Sequence, residues 1–301
     1  MLSVECRENF EVKKLTSFKI GGPVKKVYFP ASVEEFVEVL KAEPDAEVFG
    51  NLSNTLVSSD GYDGAIIITT KMAQVDITGT KVAAECGIKG PKLSQLVAKE
   101  GLSGLEFMIG FPGSLGGEVF MNASAKGQCV SDKLVKVKCY SRENGVFELK
   151  KEDMGFSYRT SRCQKDDIII LAAEFELDKK SADEIQAQMD VNLNFRKSHQ
   201  PSLALPNCGS VFRNPEGNSA GRLLEEAGAK SFSVGGVHVW ENHANFIINS
   251  DNGTSLDVLE IMYKMYSAVK EKFGIELRPE VRYLGGKNQR EVELCRTLNI
   301  R

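Results

Sequence analysis

The alternation of apolar and polar positions near the N-terminus predicts an α/β arrangement. Residues 24–30, VKKVYFP, alternate in polarity and contain β-branched side chains, as a strand would, and the runs EVFG and GAIIITT predict two further strands. Between the first two strands, Ser32 precedes a helical pattern and Glu35 follows three positions later. This spacing is that of a capping box, so a helix is expected there.

The middle of the chain predicts a larger sheet. Short alternating runs, among them KVAAECG, VKVKCYS, GVFELK and IIILAAEFEL, indicate a mixed or antiparallel sheet that ends near Leu177, and KLSQLVAKEG (92–101) predicts a helix. Residues 181–199 are polar and begin with a second capping box, Ser181 and Glu184. We interpret this stretch as a helix that leads out of one domain into another.

The C-terminal third has its own helical and extended patterns. AGRLLEEAG predicts a short helix, VHVW and ANFIIN predict strands, and residues 254–273 predict a long helix. A capping box (Thr254, Asp257) marks the start of the long helix and Gly274 its end. The whole chain is therefore expected to be α+β.

Length and composition limit the functions that need considering. The 301 residues suggest two or three domains, and 42% hydrophobic and 26% charged residues suit an ordinary globular protein. A net charge of −3 gives no footprint for nucleic acid or an anionic membrane, and no apolar run approaches a spanning helix. A cytoplasmic protein is expected, and we expect a monomer.

Metal chemistry is not expected. The seven cysteines form no CxxC pairs, and the three histidines lack the spacing of HExxH-type sites. Reduced and mostly buried thiols account for the cysteines better than a disulfide framework does.

Two glycine-rich stretches are candidates for binding a phosphorylated ligand. Residues 49–61, FGNLSNTLVSSDG, follow a strand and could form a nest of backbone N–H groups, although a plain strand-ending turn is also possible. Residues 101–127 contain seven glycines among phenylalanines, which tight turns could also explain. Two such stretches together favour a large, flat ligand such as a flavin dinucleotide.

Several separated motifs, in one order, resemble the UDP-N-acetylenolpyruvoylglucosamine reductases. They are LTSFKIGGP (15–23), FGNLSNTLV (49–57), GLSGLEFMIGFPGSLGGEVFMNASAKG (101–127), FSYRTS (156–161), GSVFRNP (209–215), HANFIIN (243–249) and LRPEVRYLG (277–285). The resemblance covers about residues 15–285. The short stretch between Gln200 and Gly209 resembles the form of the family that lacks an extra tyrosine-bearing loop.

The resemblance implies a fold and an activity. The fold would be α+β, with a two-subdomain FAD-binding unit of the p-cresol methylhydroxylase/vanillyl-alcohol oxidase type, at 1–75 and 76–190, followed by an α+β substrate-binding domain at 191–301. The activity would be the FAD-dependent reduction of UDP-N-acetylglucosamine enolpyruvate by NADPH, giving UDP-N-acetylmuramate for peptidoglycan. Hydride would go to C3 of the enol ether and a proton to C2.

The resemblance also implies residue roles. Ser210 would protonate C2, Arg159 would stabilise the enolate, and Glu280 would assist the protonation. No Gly-x-Ser-x-Gly motif surrounds Ser210, so a nucleophilic role has no support. The residues that would bind FAD are Gly50, Asn51, Leu52, Ser53, Asn54, Thr55, Gly110, Pro112, Gly113, Ser114, Gly116, Gly117 and Asn122. Those that would grip the substrate are Tyr158, Arg196, Gln200, Arg213, Asn214 and Arg282.

Three positions depart from the family pattern. Leu52 stands where the phosphate loop usually has glycine, and Ser124 and Lys126 replace the usual glycine and tyrosine. The side chain of Leu52 is expected to point away from the pyrophosphate. Two alternatives stay open at this point: a flavin oxidoreductase of the same fold with another substrate, and a non-catalytic homologue.

Overall fold

The structure is a computed structural model that describes residues 3–300. The chain divides into two compact units. The first contains the described residues up to Cys6, Tyr28–Asn51 and Ile66–Arg196, and the second contains Arg7–Val27, Leu52–Ala65 and the residues from Lys197 onward. Each unit is described by itself below.

The described residues form strands that are mostly short. Their bounds are β1 Glu5–Glu11, β2 Pro23–Phe29, β3 Glu47–Phe49, β4 Thr55–Val57, β5 Tyr62–Ile68, β6 Val75–Thr78, β7 Lys81–Glu85, β8 Leu102–Ser103, β9 Ser124–Ala125, β10 Gln128–Cys129, β11 Leu134–Ser141, β12 Gly145–Lys150, β13 Ile169–Glu176, β14 Asp178–Lys179, β15 Ser233–Val234, β16 Val237–Val239, β17 Ile247–Asn249 and β18 Arg282–Leu284.

Helices connect and cover these strands. Their bounds are α1 Val33–Ala42, α2 Gly90–Lys99, α3 Leu115–Phe120, α4 Ala182–His199, α5 Ala220–Glu226, α6 Ser255–Phe273 and α7 Gln289–Leu298. None of the helices within residues 3–300 is long and apolar enough to cross a membrane.

The first unit contains an antiparallel sheet in the order β12-β11-β13-β7-β6. Val137 of β11 lies beside Ala173 of β13, which in turn pairs with Ala84 of β7. These three side chains are buried. The short helix α3 contacts β13 and β7. This packing stabilises a helix of only six residues, two of them glycine, which would not persist alone.

The second unit is organised around the long helix α6. Its core contains Phe18, Leu56, Phe212, Leu259 and other buried apolar residues, and α7 packs against α6. β15, β16 and β17 form an antiparallel sheet in that order, while β18 runs parallel to β4. The β18–β4 pair places residues 280–282 next to residues 54–55.

A buried glutamate fastens the C-terminal helix of the second unit. Glu291 of α7 accepts hydrogen bonds from Ser58 Oγ at 2.7 Å, from Tyr283 Oη at 2.6 Å and from Ser255 Oγ. A buried carboxylate needs such donors, because burial without them is costly. α7 is thereby connected to β18 and to the start of α6.

The capping predictions are confirmed with one local difference. Thr254 with Asp257, and Ser181 with Glu184, form reciprocal capping boxes. Ser32 Oγ accepts from Glu35 N at 3.2 Å, but the Glu35 carboxylate accepts from Ala31 N instead.

Other boundaries differ from expectation. The strand predicted over residues 244–249 is confined to β17, because the residues before it form a turn in which Phe246 N donates to His243 O. The predicted helix at 92–101 begins at Gly90, with Pro91 in its first turn, where no intrahelical donor is needed. The helices α3 and α7 were not predicted, although Asn288 caps α7 by accepting from Arg290 N and Glu291 N.

Candidate active site

The two glycine-rich stretches meet within the first unit. Asn51 Nδ2 donates to Pro112 O at 2.7 Å. Gly50 lies against Ser114 so closely that a Cβ atom at position 50 would overlap the Ser114 hydroxyl. The first loop and the Pro112–Ser114 turn therefore form one cradle, and a side chain at position 50 would displace the Ser114 hydroxyl.

Ser114 lies at the start of α3, at the centre of this cradle. Its hydroxyl is buried and has no hydrogen-bond partner among residues 3–300. Gly116 is confined, because a Cβ there would lie 2.9 Å from Cys86 Cβ, whereas a Cβ at Gly117 would meet nothing within 4 Å. An orphaned hydroxyl beside an open glycine backbone is what a phosphate oxygen would complete. The residues present therefore fit the pyrophosphate of a dinucleotide.

The remaining candidates in these stretches have structural partners. Gly110 accepts from Arg196 Nε at 2.8 Å through its carbonyl oxygen. The Asn122 amide donates to Ser157 O at 3.2 Å and accepts from Ser131 N at 3.2 Å. Both residues therefore position other segments of the first unit.

Glu118 of α3 is a buried acid that sequence reasoning missed. It is 4% exposed, and neither carboxyl oxygen has a hydrogen-bond partner among the described residues. Its carboxyl group fills the space beside Gly90 and Gly113, where a Cβ at Gly113 would lie 3.2 Å from Oε1. Desolvation by burial raises the pKa of Glu118 to about 8. The first unit thus contains a carboxyl group that is largely protonated near neutral pH.

Arg159 lies in a strained conformation in the first unit. Its φ of 55° is in the left-handed region, which is unfavourable for a residue with a side chain. Its Nη1 donates to Ser124 Oγ at 2.9 Å, and its carbonyl oxygen accepts from Gln164 Nε2 at 3.1 Å. The guanidinium carbon lies 5.2 Å from the centre of the Tyr158 ring, and Tyr158 is 52% exposed.

The segment that carries Arg159 is attached to the end of α3. Ser161 Oγ and Gln164 Nε2 both donate to Phe120 O, at 2.7 and 2.8 Å. A backbone pair between Ser157 and Thr160 closes the turn itself, and side chains attach the segment to the end of α3.

In the second unit, Ser210 and Glu280 lie on adjacent extended segments. Glu280 N donates to Val211 O at 2.7 Å, and Arg213 N donates to Arg278 O at 2.9 Å. The antiparallel bridge between Phe212 and Pro279 sets Val211 opposite Glu280, so Ser210 lies one position away from Glu280 on the adjacent segment. Gly209, with φ of 81°, makes the turn that enters the ladder.

Asn245 holds the Ser210 segment from its other side. Its side chain accepts from Phe212 N at 2.9 Å and donates to Phe212 O at 2.8 Å, while its carbonyl accepts from Val211 N. Asn245 is 3% exposed, so these bonds are shielded from water.

The glycine-rich stretch 49–61 continues into the second unit from Leu52 onward, and its Asn54 contacts the segment that carries Glu280. Asn54 Nδ2 donates to Glu280 O at 2.8 Å, and Asn54 O accepts from Arg282 N at 3.0 Å. Ser53 O accepts from Ser17 Oγ, and Thr55 pairs with Arg282 in the β4–β18 ladder. Hydrogen bonds at Asn54 and Thr55 therefore hold this part of the loop against residues 280–282.

Leu52 adopts the backbone conformation of the glycine that it replaces. Its φ is 48°, and its side chain is 3% exposed. The side chain is thus packed inside the protein, and that it points away from a ligand in the loop stays a prediction. The substitution introduces backbone strain on the order of 1 kcal/mol.

The proposed substrate contacts are distributed over both units. Arg196 donates a hydrogen bond to Gly110 O, and burial lowers the pKa of its guanidinium. Arg213 Nε is buried without a hydrogen-bond partner among residues 3–300, while the Asn214 side chain accepts from Ala220 N at 3.0 Å. Gln200 is half-buried and Arg282 is exposed.

Cys208 has no nucleophilic character. Burial, and then the charge of Glu280, raise the pKa of its thiol. This matches the interpretation of the cysteines as reduced and mostly buried thiols.

Comparison with known proteins agrees with the motifs. A family model described as "UDP-N-acetylenolpyruvoylglucosamine reductase, C-terminal domain" matches residues 200–284, and one described as "FAD binding domain" matches residues 24–149. A UDP-N-acetylenolpyruvoylglucosamine reductase of Caldicellulosiruptor saccharolyticus is 36% identical over 289 residues, covering 94% of this chain and 93% of that protein. One from Syntrophomonas wolfei is 40% identical over 282 residues, covering 92% and 94%.

Solved structures give the same relationship. The UDP-N-acetylenolpyruvylglucosamine reductase of Thermus caldophilus matches with a TM-score of 0.81 and 30% identity, covering 95% of this chain and 100% of that one. The BBE-like 1 protein of Physcomitrella patens matches with a TM-score of 0.54 at 11% identity over 90% of this chain, a likeness of fold alone.

Proposed function

The chain belongs to the UDP-N-acetylenolpyruvoylglucosamine reductase family, and from this premise we propose which residues bind FAD, bind the substrate and take part in the reaction. Its activity is the FAD-dependent, NADPH-driven reduction of UDP-N-acetylglucosamine enolpyruvate to UDP-N-acetylmuramate in peptidoglycan synthesis. The α+β fold, with an FAD-binding part followed by a substrate-binding part, is confirmed. The boundaries 1–75, 76–190 and 191–301 stay a proposal.

We propose that the cradle around Ser114 holds the pyrophosphate of FAD. Its orphaned hydroxyl, the confined Gly50 and the open backbone at Gly117 support this assignment. The other proposed FAD contacts are Asn51, Leu52, Ser53, Asn54, Thr55, Gly110, Pro112, Gly113, Gly116 and Asn122. Bound FAD supplies the hydride transfer, after reduction by NADPH.

We propose that Ser210 provides the proton for C2 of the enolpyruvyl group. The backbone ladder between residues 211–213 and 278–280 carries this assignment, because it places the backbones of Ser210 and Glu280 on adjacent segments. A serine hydroxyl is a weak acid, so its proton moves only where developing negative charge is stabilised. Glu280 orients the hydroxyl and assists the transfer.

Arg159 is proposed to stabilise the enolate. A guanidinium remains charged at all accessible pH values and can fork onto a carboxylate. Loss of one such electrostatic contributor typically slows turnover by about 100-fold or more. Tyr158, Arg196, Gln200, Arg213, Asn214 and Arg282 are proposed to bind the carboxylate and diphosphate of the substrate.

Anaerobic stopped-flow kinetics of Ser210→Ala test this assignment. Flavin reduction by NADPH should stay near the wild-type rate, while flavin reoxidation by the enolpyruvyl substrate should fall by about 100-fold or more. Ser202→Ala, an exposed serine of the same region, is the matched control and should leave both half-reactions unchanged. Equal slowing of both half-reactions by Ser210→Ala would contradict the role in protonation.

A cytoplasmic location and a monomeric state also stay proposals. The first is tested by fractionating cells and the second by sedimentation of the purified flavoprotein.

A further inference from the structure

Ser124 makes a contact that the expected glycine could not make. Its hydroxyl oxygen accepts a hydrogen bond from Arg159 Nη1 at 2.9 Å. The contact connects β9 to the 157–160 turn, 35 positions along the chain. One of the three departures from the family motif is therefore in direct contact with a proposed catalytic group.

The contacts of Arg159 involve both its backbone and its guanidinium. Its backbone is in the left-handed region, and Gln164 holds its carbonyl oxygen. Its guanidinium lies over the ring of Tyr158, an exposed side chain. A long, flexible side chain in such surroundings loses much rotamer freedom when it must meet a substrate.

We propose that Ser124 is a positioning residue that orients the Arg159 guanidinium toward the substrate's carboxylate; this rests on the proposed function of Arg159. A hydroxyl is a neutral acceptor, so it fixes the direction of Nη1 without neutralising the guanidinium charge. A carboxylate at the same place would also orient the group but would compensate its charge. Ser124 thus preserves the electrostatic contribution while reducing the motion of Arg159.

The backbone around Ser124 does not depend on its hydroxyl. β9 pairs with β10 through main-chain contacts, with Ser124 opposite Cys129 and Ala125 opposite Gln128. Removal of the hydroxyl should therefore leave the fold intact, and its effect can be measured in the complete flavoprotein.

Ser124→Ala and Ser124→Gly test the positioning role in stopped flow. Flavin reoxidation by the enolpyruvyl substrate should slow by about tenfold, while flavin reduction by NADPH should change by less than about twofold. Ser124→Thr retains a hydroxyl and should restore most of the rate. Thr160→Ala is the matched control, because it removes a neighbouring hydroxyl that donates to Tyr158 O and does not contact the guanidinium.

A double-mutant cycle shows whether Ser124 acts through Arg159. Ser124→Ala should slow reoxidation about tenfold in the wild type but less than about twofold in the Arg159→Ala background. An equal effect in both backgrounds would overturn the proposal. So would an Arg159→Ala variant that collapses reoxidation while Ser124→Ala leaves the rate unchanged.

The cycle separates this inference from the function on which it rests. If Arg159→Ala itself left reoxidation unchanged, the role of Arg159 would fail and the positioning role with it. NMR of the Arg159 guanidinium in the holoenzyme gives a readout independent of turnover. Rotation about its Cζ–N bonds should be slower in the wild type than in Ser124→Ala, and identical rotation in both would also overturn the proposal.

Discussion

The segment that carries Arg159 and the segment that carries Ser210 are held in different ways. Around Arg159, the contacts come mainly from side chains: Ser124 to the guanidinium, and Gln164 and Ser161 to backbone carbonyl oxygens. Around Ser210, a main-chain ladder connects residues 211–213 with 278–280.

This difference determines how strongly substitutions of nearby residues can change the positions of Ser210 and Arg159. A backbone ladder forms with almost any side chains, so the placement of Ser210 beside Glu280 is insensitive to most substitutions in it. Side-chain contacts exist only while particular residues are present. The position of the guanidinium should therefore be the more easily altered of the two.

The largest expected effect is a dependence of the free energy of unfolding on pH. The Arg159 segment is attached to α3, and α3 contains the buried Glu118. The pKa of Glu118 is raised from 4.5 to about 8 by burial. Between these values the unfolded state releases the proton and the folded state retains it. The free energy of unfolding should therefore fall as pH rises through this window, by at most roughly 1.4 kcal/mol per pH unit.

Chemical denaturation between pH 5 and pH 8 measures this effect. Glu118→Gln has no ionisable group, so its stability should depend less steeply on pH, and at pH 8 it should exceed the wild type by up to several kcal/mol. Glu143→Gln, an exposed glutamate in the β11–β12 hairpin, is the control and should follow the wild-type curve. Parallel curves for wild type and Glu118→Gln would show that Glu118 ionises normally.

The next largest effect should come from Asn245→Ala, which removes a buried side chain that supports the Ser210 ladder. The substitution leaves the buried N–H and C=O of Phe212 without their partner. We expect a loss of about 3 kcal/mol in unfolding free energy, measured by urea denaturation. Asn144→Ala, at an exposed position, should lose less than about 0.5 kcal/mol. A loss that small in Asn245→Ala would mean that the backbone ladder suffices alone.

A smaller effect is expected for Gln164→Ala in the Arg159 segment. This side chain donates to Phe120 O and Arg159 O, both only partly buried. We expect a stability loss of about 1–2 kcal/mol, with a larger effect on flavin reoxidation than on flavin reduction. Gln186→Ala on α4, which removes one exposed hydrogen bond to Asp190, is the control. Unchanged reoxidation in Gln164→Ala would indicate that Gln164 does not contribute to the orientation of Arg159.

The elements that could be predicted from sequence are those with local signals. α6 was correctly bounded because Thr254, Asp257 and Gly274 act on their own neighbours. α3 was missed because its glycines disfavour a helix, and its packing on β7 and β13 compensates only after the sheet has formed. Similarly, HANFIIN alternates like a strand, but its first residues form a turn whose Asn245 side chain pairs with Phe212.

The sequence by itself determined the family and the reaction, because motifs and spacing are properties of the chain, and it predicted which residues form the site. Only the tertiary structure decided which of these residues touch. It brought Ser210 beside Glu280 across 70 positions, gave Ser124 to Arg159 as a hydrogen-bond partner, and buried Glu118 without a partner among the described residues. Burial and hydrogen-bond geometry depend on distant segments, so neither a shifted pKa nor a positioning contact can be inferred from local sequence.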